Sequence, residues 1–168
     1  YSLVNKGTSP TNLVDWVNNI QQPIGVSDDM KDSISEAQKF VDKHKKNEIT
    51  MVGHSKGGAE AAANAVATNK NCIIFNPATV SLSAHNLSSD DYSAQMTAYI
   101  VKGEILNNIF GIVSKPIDRV EYLPTQYSLN PLTRVLGKDS LAVRALNTYN
   151  AVRNHSMEAV IKALEERD

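Results

Sequence analysis

A chain of 168 residues, 42% apolar and 21% charged, has the length and composition of one ordinary globular domain, able to bury about 70% of its unfolded surface. Its 17 basic and 18 acidic residues leave a net charge of −1, with no long-range field to gather nucleic acid or an anionic bilayer, so nucleic-acid binding is disfavoured. The single cysteine, Cys72, lies in an apolar run and reads as an inert buried thiol, with no disulfide or zinc framework, and no apolar stretch approaches the ~20 residues that span a bilayer.

The opening YSLV reads as the end of a strand, running into the loop NKGTSPTN, which Gly7 and Pro10 punctuate. Ser27, Asp28 and Asp29 then precede apolar positions at Met30, Ile34, Ala37, Phe40 and Val41, a spacing that predicts an amphipathic helix over 29–45 with acids at its positive end. EITMV (48–52) is a β-prone run, GHSKGG (53–58) a glycine-bounded turn, and AEAAANAVATN (59–69) an alanine helix. CIIFN (72–76) and MTAYIV (96–101) are continuous apolar runs, as expected of parallel strands covered on both faces. Beyond Glu104, ILNNIFGIV is apolar and is either core, the wall of an acyl groove or a lid. SKPIDRVEYLPTQYSLNPL reads as irregular, 138–152 as helical, and HSMEAVIKALEE as a closing amphipathic helix. The alternation predicts an α/β fold with a mostly parallel sheet flanked by helices, in one domain over 1–168.

A G-x-S-x-G run between a strand and a helix is the pattern of a nucleophile elbow, the sharp turn of the α/β-hydrolase fold that lifts a serine hydroxyl clear of the sheet. Ser55 is therefore the candidate nucleophile, and Gly53 and Gly57 stand where strand and helix come too close for a β-carbon. Ser55 also opens a helix, whose free N–H groups favour an anion, so the Lys56 N–H is the first candidate oxyanion donor.

A serine needs a histidine to take its proton and a carboxylate to hold that histidine, in the order Ser, acid, His for this fold. His44 lies in a lysine-rich helix end, and His54 lies inside the elbow, directed away from the serine. His85 comes before any carboxylate at the end of the next strand, whereas His155 follows that strand and precedes the last helix. His155 is thus the expected base. Glu104, just past MTAYIV, is the expected acid, with Asp118 next and Asp90 or Asp91 behind; the alternative for Glu104 is an exposed turn residue beside Lys102. No metal or organic cofactor is needed for this chemistry.

The NKGTS loop (5–9), the Asp15-Trp16 pair and GHSKGG (53–58) together resemble the class 3, or fungal-type, lipases and their bacterial phospholipase-like relatives. The likeness runs in order over roughly residues 3–80 and resumes weakly at KGE and NHSM. It implies that Thr8 joins Lys56 in an oxyanion hole and that the substrate is a lipid or other acyl ester, which is compatible with transient contact with a membrane surface. Lys6 stands where the family usually has arginine, and Glu104 where it usually has aspartate. The front appears short against the family, so an N-terminally trimmed or minimal hydrolase domain is expected. A thioesterase or acyltransferase using the same three residues, and a non-catalytic hydrolase-fold protein, are the competing expectations. Acyl length, headgroup, oligomeric state and compartment stay open.

Overall fold

The computed structural model describes residues 1–7, 28–106, 116–128 and 141–167. In chain order these form β1 (Ser2–Asn5), α1 (Asp28–Lys43), β2 (Thr50–His54), α2 (Lys56–Thr68), β3 (Asn71–Phe75), a 3₁₀ turn (Ser83–His85), β4 (Met96–Val101), β5 (Arg119–Leu123), α3 (Leu141–His155) and α4 (Met157–Glu165). The five strands lie side by side in sequence order, every neighbouring pair parallel, giving the layered α/β architecture that the alternation of elements predicts.

With strands in consecutive order, right-handed crossovers place the intervening helices on one face of the sheet. Helices α1 and α2 fill that face: Ala37 and Val41 of α1 and Ala61, Ala62 and Ala65 of α2 pack on Met51, Cys72, Ile74, Met96, Ala98 and Ile100. The alternate strand positions turn the other way, where Val101 and Leu123, with Phe75 and Tyr99 beside them, meet Val160 and Ala163 of α4. A smaller cluster of Ala59, Ala78, Ile105, Leu106 and Val152 sits where the start of α2 meets α3. The two described residues of the ILNNIFGIV run, Ile105 and Leu106, are therefore core, while 107–113 lie outside the described residues.

Two expectations shift. Strand β2 runs two residues further than EITMV suggested, to His54, because Gly53 lacks the β-carbon that would stop it beneath the helix start. The stretch expected to be irregular contains β5, which among the described residues pairs only with β4 and so needs no continuous apolar run. Arg119 and Glu121 pair with each other on its exposed side, Leu123 is fully buried, and Pro116 and Pro124 bracket it without interrupting its ladder.

Candidate active site

Ser55 occupies the turn between β2 and α2 with φ 57° and ψ −125°, a conformation a residue with a β-carbon adopts only under constraint. The constraint is visible in its backbone. Ser55 N–H donates to Phe75 O at 3.2 Å, and Ser55 O accepts from the N–H groups of Gly58 (3.0 Å), Ala59 (3.2 Å) and Ala78 (3.0 Å). Close packing completes it: a β-carbon on Gly53 would lie 2.0 Å from Gly57 O, and one on Gly57 would lie 2.3 Å from Asn5 O and 2.8 Å from Gly7 N. Ser55 is 2% exposed, and its Oγ makes no hydrogen bond among the described residues.

Lys56 begins α2, so its N–H belongs to the first turn, where amides have no intrahelical acceptor. Its ammonium is engaged elsewhere, 3.3 Å from Asp29 and 4.0 Å from Glu60. Thr8, the other expected oxyanion residue, lies outside the described residues, as do Asp15 and Trp16.

Glu104 and His155 are brought together although 51 positions separate them: His155 Nδ1 lies 2.7 Å from Glu104 Oε2, and both residues are buried. Glu104 sits just past the carboxyl end of β4, its own N–H bonded to Val101 O at 3.1 Å, and Oε2 also accepts from Leu106 N–H at 2.9 Å. A carboxylate only accepts, so this geometry puts the proton of neutral His155 on Nδ1 and its lone pair on Nε2.

The backbone of His155 is held as firmly as its ring. It ends α3, and the next residue, Ser156, caps α4 by accepting Ala159 N–H at 3.2 Å. Its carbonyl receives His54 Nε2 at 2.6 Å and Asn76 Nδ2 at 3.2 Å. Asn76, at φ 40° just beyond β3, also donates to Asn154 O at 3.2 Å and accepts Val101 N–H at 2.9 Å. Asn154 accepts from Gln126 and Tyr127 N–H and returns a bond to Tyr127 O, tying the segment after β5 to the same turn. Burial, and then the neighbouring His155, hold the His54 imidazole down at a pKa of about 4. These bridging residues were not singled out as site residues by sequence reasoning. Their only signals are position, Asn76 and His54 at strand ends and Asn154 beside the histidine.

The remaining candidates stand apart. Asp118 precedes β5 and bonds through its carboxylate to Met96 N–H at 3.0 Å, at the start of β4 and so at the opposite end of the sheet from Glu104. Asp90 and Asp91 lie in an exposed turn. His44 stacks on Tyr1 and meets Phe40 at a tilt, and His85 has no hydrogen-bonded carboxylate among the described residues. Burial pushes the Cys72 thiol up to about 12, as expected of an inert core cysteine.

Beside the elbow lies a cavity of about 610 Å³. Val52, Phe75 and Met157 give it apolar walls, His54 faces it, and Lys6 and Arg153 are its cations, the Arg153 guanidinium resting 3.7 Å from the Tyr127 ring centre. No helix among the described residues is long and apolar enough to cross a membrane.

The phospholipase-like family model described as Tle-like phospholipase domain matches residues 1–123. A search of curated proteins finds no match.

Proposed function

The chain belongs to the phospholipase-like family of Tle-like phospholipase domains, which makes it a hydrolase of lipid esters in the broad sense, and from that premise we propose a serine mechanism of the α/β-hydrolase type. The observation that carries the proposal is the buried 2.7 Å pairing of His155 with Glu104, at the end of a helix that bonds to the residue next to Ser55.

In this mechanism Ser55 Oγ attacks the acyl carbonyl as its proton passes to His155 Nε2, forming the Oγ–C bond and moving the carbonyl π electrons onto oxygen. Glu104 holds the Nδ1–H and stabilises the imidazolium. The Lys56 N–H, with Thr8 as its expected companion, takes the oxyanion at the helix N-terminus. Collapse breaks the bond to the leaving alkoxide, which departs as an alcohol with the proton from His155. Water, deprotonated by the same histidine, then cleaves the acyl-enzyme and restores Ser55. The apolar walls of the 610 Å³ cavity suit an acyl chain, and its charged lining, Lys6 and Arg153 with Glu158, suits a polar headgroup.

Labelling with a fluorophosphonate tests the nucleophile. Wild type is expected to label, and Ser55→Ala and His155→Ala are not; labelling that survives Ser55→Ala refutes the mechanism. Parallel release assays on phospholipid vesicles and on an acyl thioester decide between lipid hydrolysis and thioester cleavage.

A further inference from the structure

His54 has no part in the chemistry just described, yet it makes a short contact to the end of α3, where His155 sits. It is the last residue of β2, and its Nε2 lies 2.6 Å from the His155 carbonyl, 101 positions along the chain. A carbonyl can only accept, so His54 donates through Nε2–H. With a pKa held down at about 4 by burial and by His155, the ring is neutral near pH 7, and Nε2 carries its one proton. The two imidazoles face each other at 5.1 Å between centres, tilted by 42°.

The same carbonyl takes a second bond from Asn76, so two donors from the ends of adjacent strands converge on one acceptor. At the other end of the residue, Glu104 fixes the ring through Nδ1. His155 thus has few remaining ways to move relative to Ser55. The peptide that joins His54 to Ser55 is also part of the strained turn, so any shift of the elbow is transmitted to the histidine loop through this bond.

We infer that His54 is a positioning residue, whose Nε2–H holds the backbone of His155 in register with Ser55, so that one turn sets both nucleophile and base. This rests on the serine mechanism proposed above. Misplacing a reacting group by about 1 Å costs on the order of 10²-fold in rate, and a lost backbone anchor acts on that scale.

His54 also faces the cavity, so a truncation would mix lost binding with lost positioning. The pair His54→Gln and His54→Met separates them: the two side chains are close in length and volume, and only glutamine can donate to the carbonyl. His54→Met is expected to lower kcat by roughly 10- to 100-fold and to slow fluorophosphonate labelling in step, with KM little changed, and His54→Gln is expected to recover most of both. A readout free of turnover is the downfield proton resonance of Nδ1–H between His155 and Glu104, identified by its loss in His155→Ala. It should persist in His54→Gln and broaden into solvent exchange in His54→Met. Should methionine not fold by circular dichroism, His54→Phe, also unable to donate, takes its place. Equal kcat and an unchanged resonance in the donor-free variant overturn the inference, as does a glutamine variant as impaired as methionine. If wild type shows no Ser55-dependent hydrolysis, the serine mechanism fails, and the resonance still decides whether His54 holds His155.

Discussion

The glycines around Ser55 form a graded series in which adding one methyl group measures how tightly the elbow is built. A β-carbon at Gly53 would stop 2.0 Å from Gly57 O, short by 1.4 Å of the 3.4 Å where ordinary contact begins. The obstacle is backbone on both sides, so no side chain can rotate away. At Gly57 the distance is 2.3 Å, again to backbone, whereas at Gly58 it is 3.1 Å to Pro77, and a few tenths of an ångström of movement suffice. Overpacking of this kind costs about 1–3 kcal/mol and occasionally more, and a backbone clash belongs at the upper end. Gly53→Ala is therefore expected to cost about 3 kcal/mol, a fall in Tm of roughly 6–12 °C at this chain length. Gly58→Ala gains up to about 1 kcal/mol of helix propensity inside α2, which offsets its mild crowding, and should leave Tm nearly unchanged. Thermal melts followed by circular dichroism give the ranking, and labelling half-times on the same samples show whether Ser55 has been displaced. A Gly53→Ala variant within about 2 °C of wild type, or a Gly58→Ala variant that falls as far, refutes the close-packing account.

Glu104→Gln should keep the fold by circular dichroism and lower kcat by about 10³- to 10⁴-fold, because glutamine cannot stabilise the imidazolium. Asp118→Asn, at the far end of β4, should leave kcat near wild type in the same assay; the reverse ranking moves the acid to Asp118. The pKa of His54, about 4 in the folded chain, lies below the 6.5 of the unfolded one, so the unfolded state alone binds that proton between these values. Stability from this group is complete above pH 6.5 and is lost as pH falls towards 4, by up to about 3 kcal/mol. Urea midpoints across that range should show the decline in wild type and a flatter profile in His54→Gln. Ser156→Ala removes the cap of α4 and should cost about 1 kcal/mol, or roughly 2–4 °C of Tm.

The elements that sequence reasoning found are those whose reasons are local. Helix α1 has acids at Asp28 and Asp29 and Lys43 in its last turn, α2 is alanine-rich, and the runs ending at Phe75 and Val101 are apolar enough to be central strands. The elbow was legible for the same cause, since its glycines and serine are neighbours in sequence. Strand β5 escaped because a strand at the edge of the described sheet, with Arg119 exposed and the half-buried Glu121 paired to it, carries no distinctive pattern. The bridge from His54 and Asn76 to His155 escaped for another reason. Its bonds span 79 to 101 positions, and isolated asparagine and histidine side chains advertise no partner until the sheet has aligned their strands.

Strand order has a consequence in time. The strands lie in the order in which the chain is written, so each of β2 to β5 has a sheet neighbour that is synthesised before it. Ser55 follows directly on β2, whereas His155 arrives 100 residues later, as the last residue of α3. At synthesis rates of about 5–20 residues per second, that gap is roughly 5–20 s. Throughout it the nascent chain has the proposed nucleophile without the proposed base. On the proposed mechanism, the order of the elements thus makes activity wait until α3 has been made.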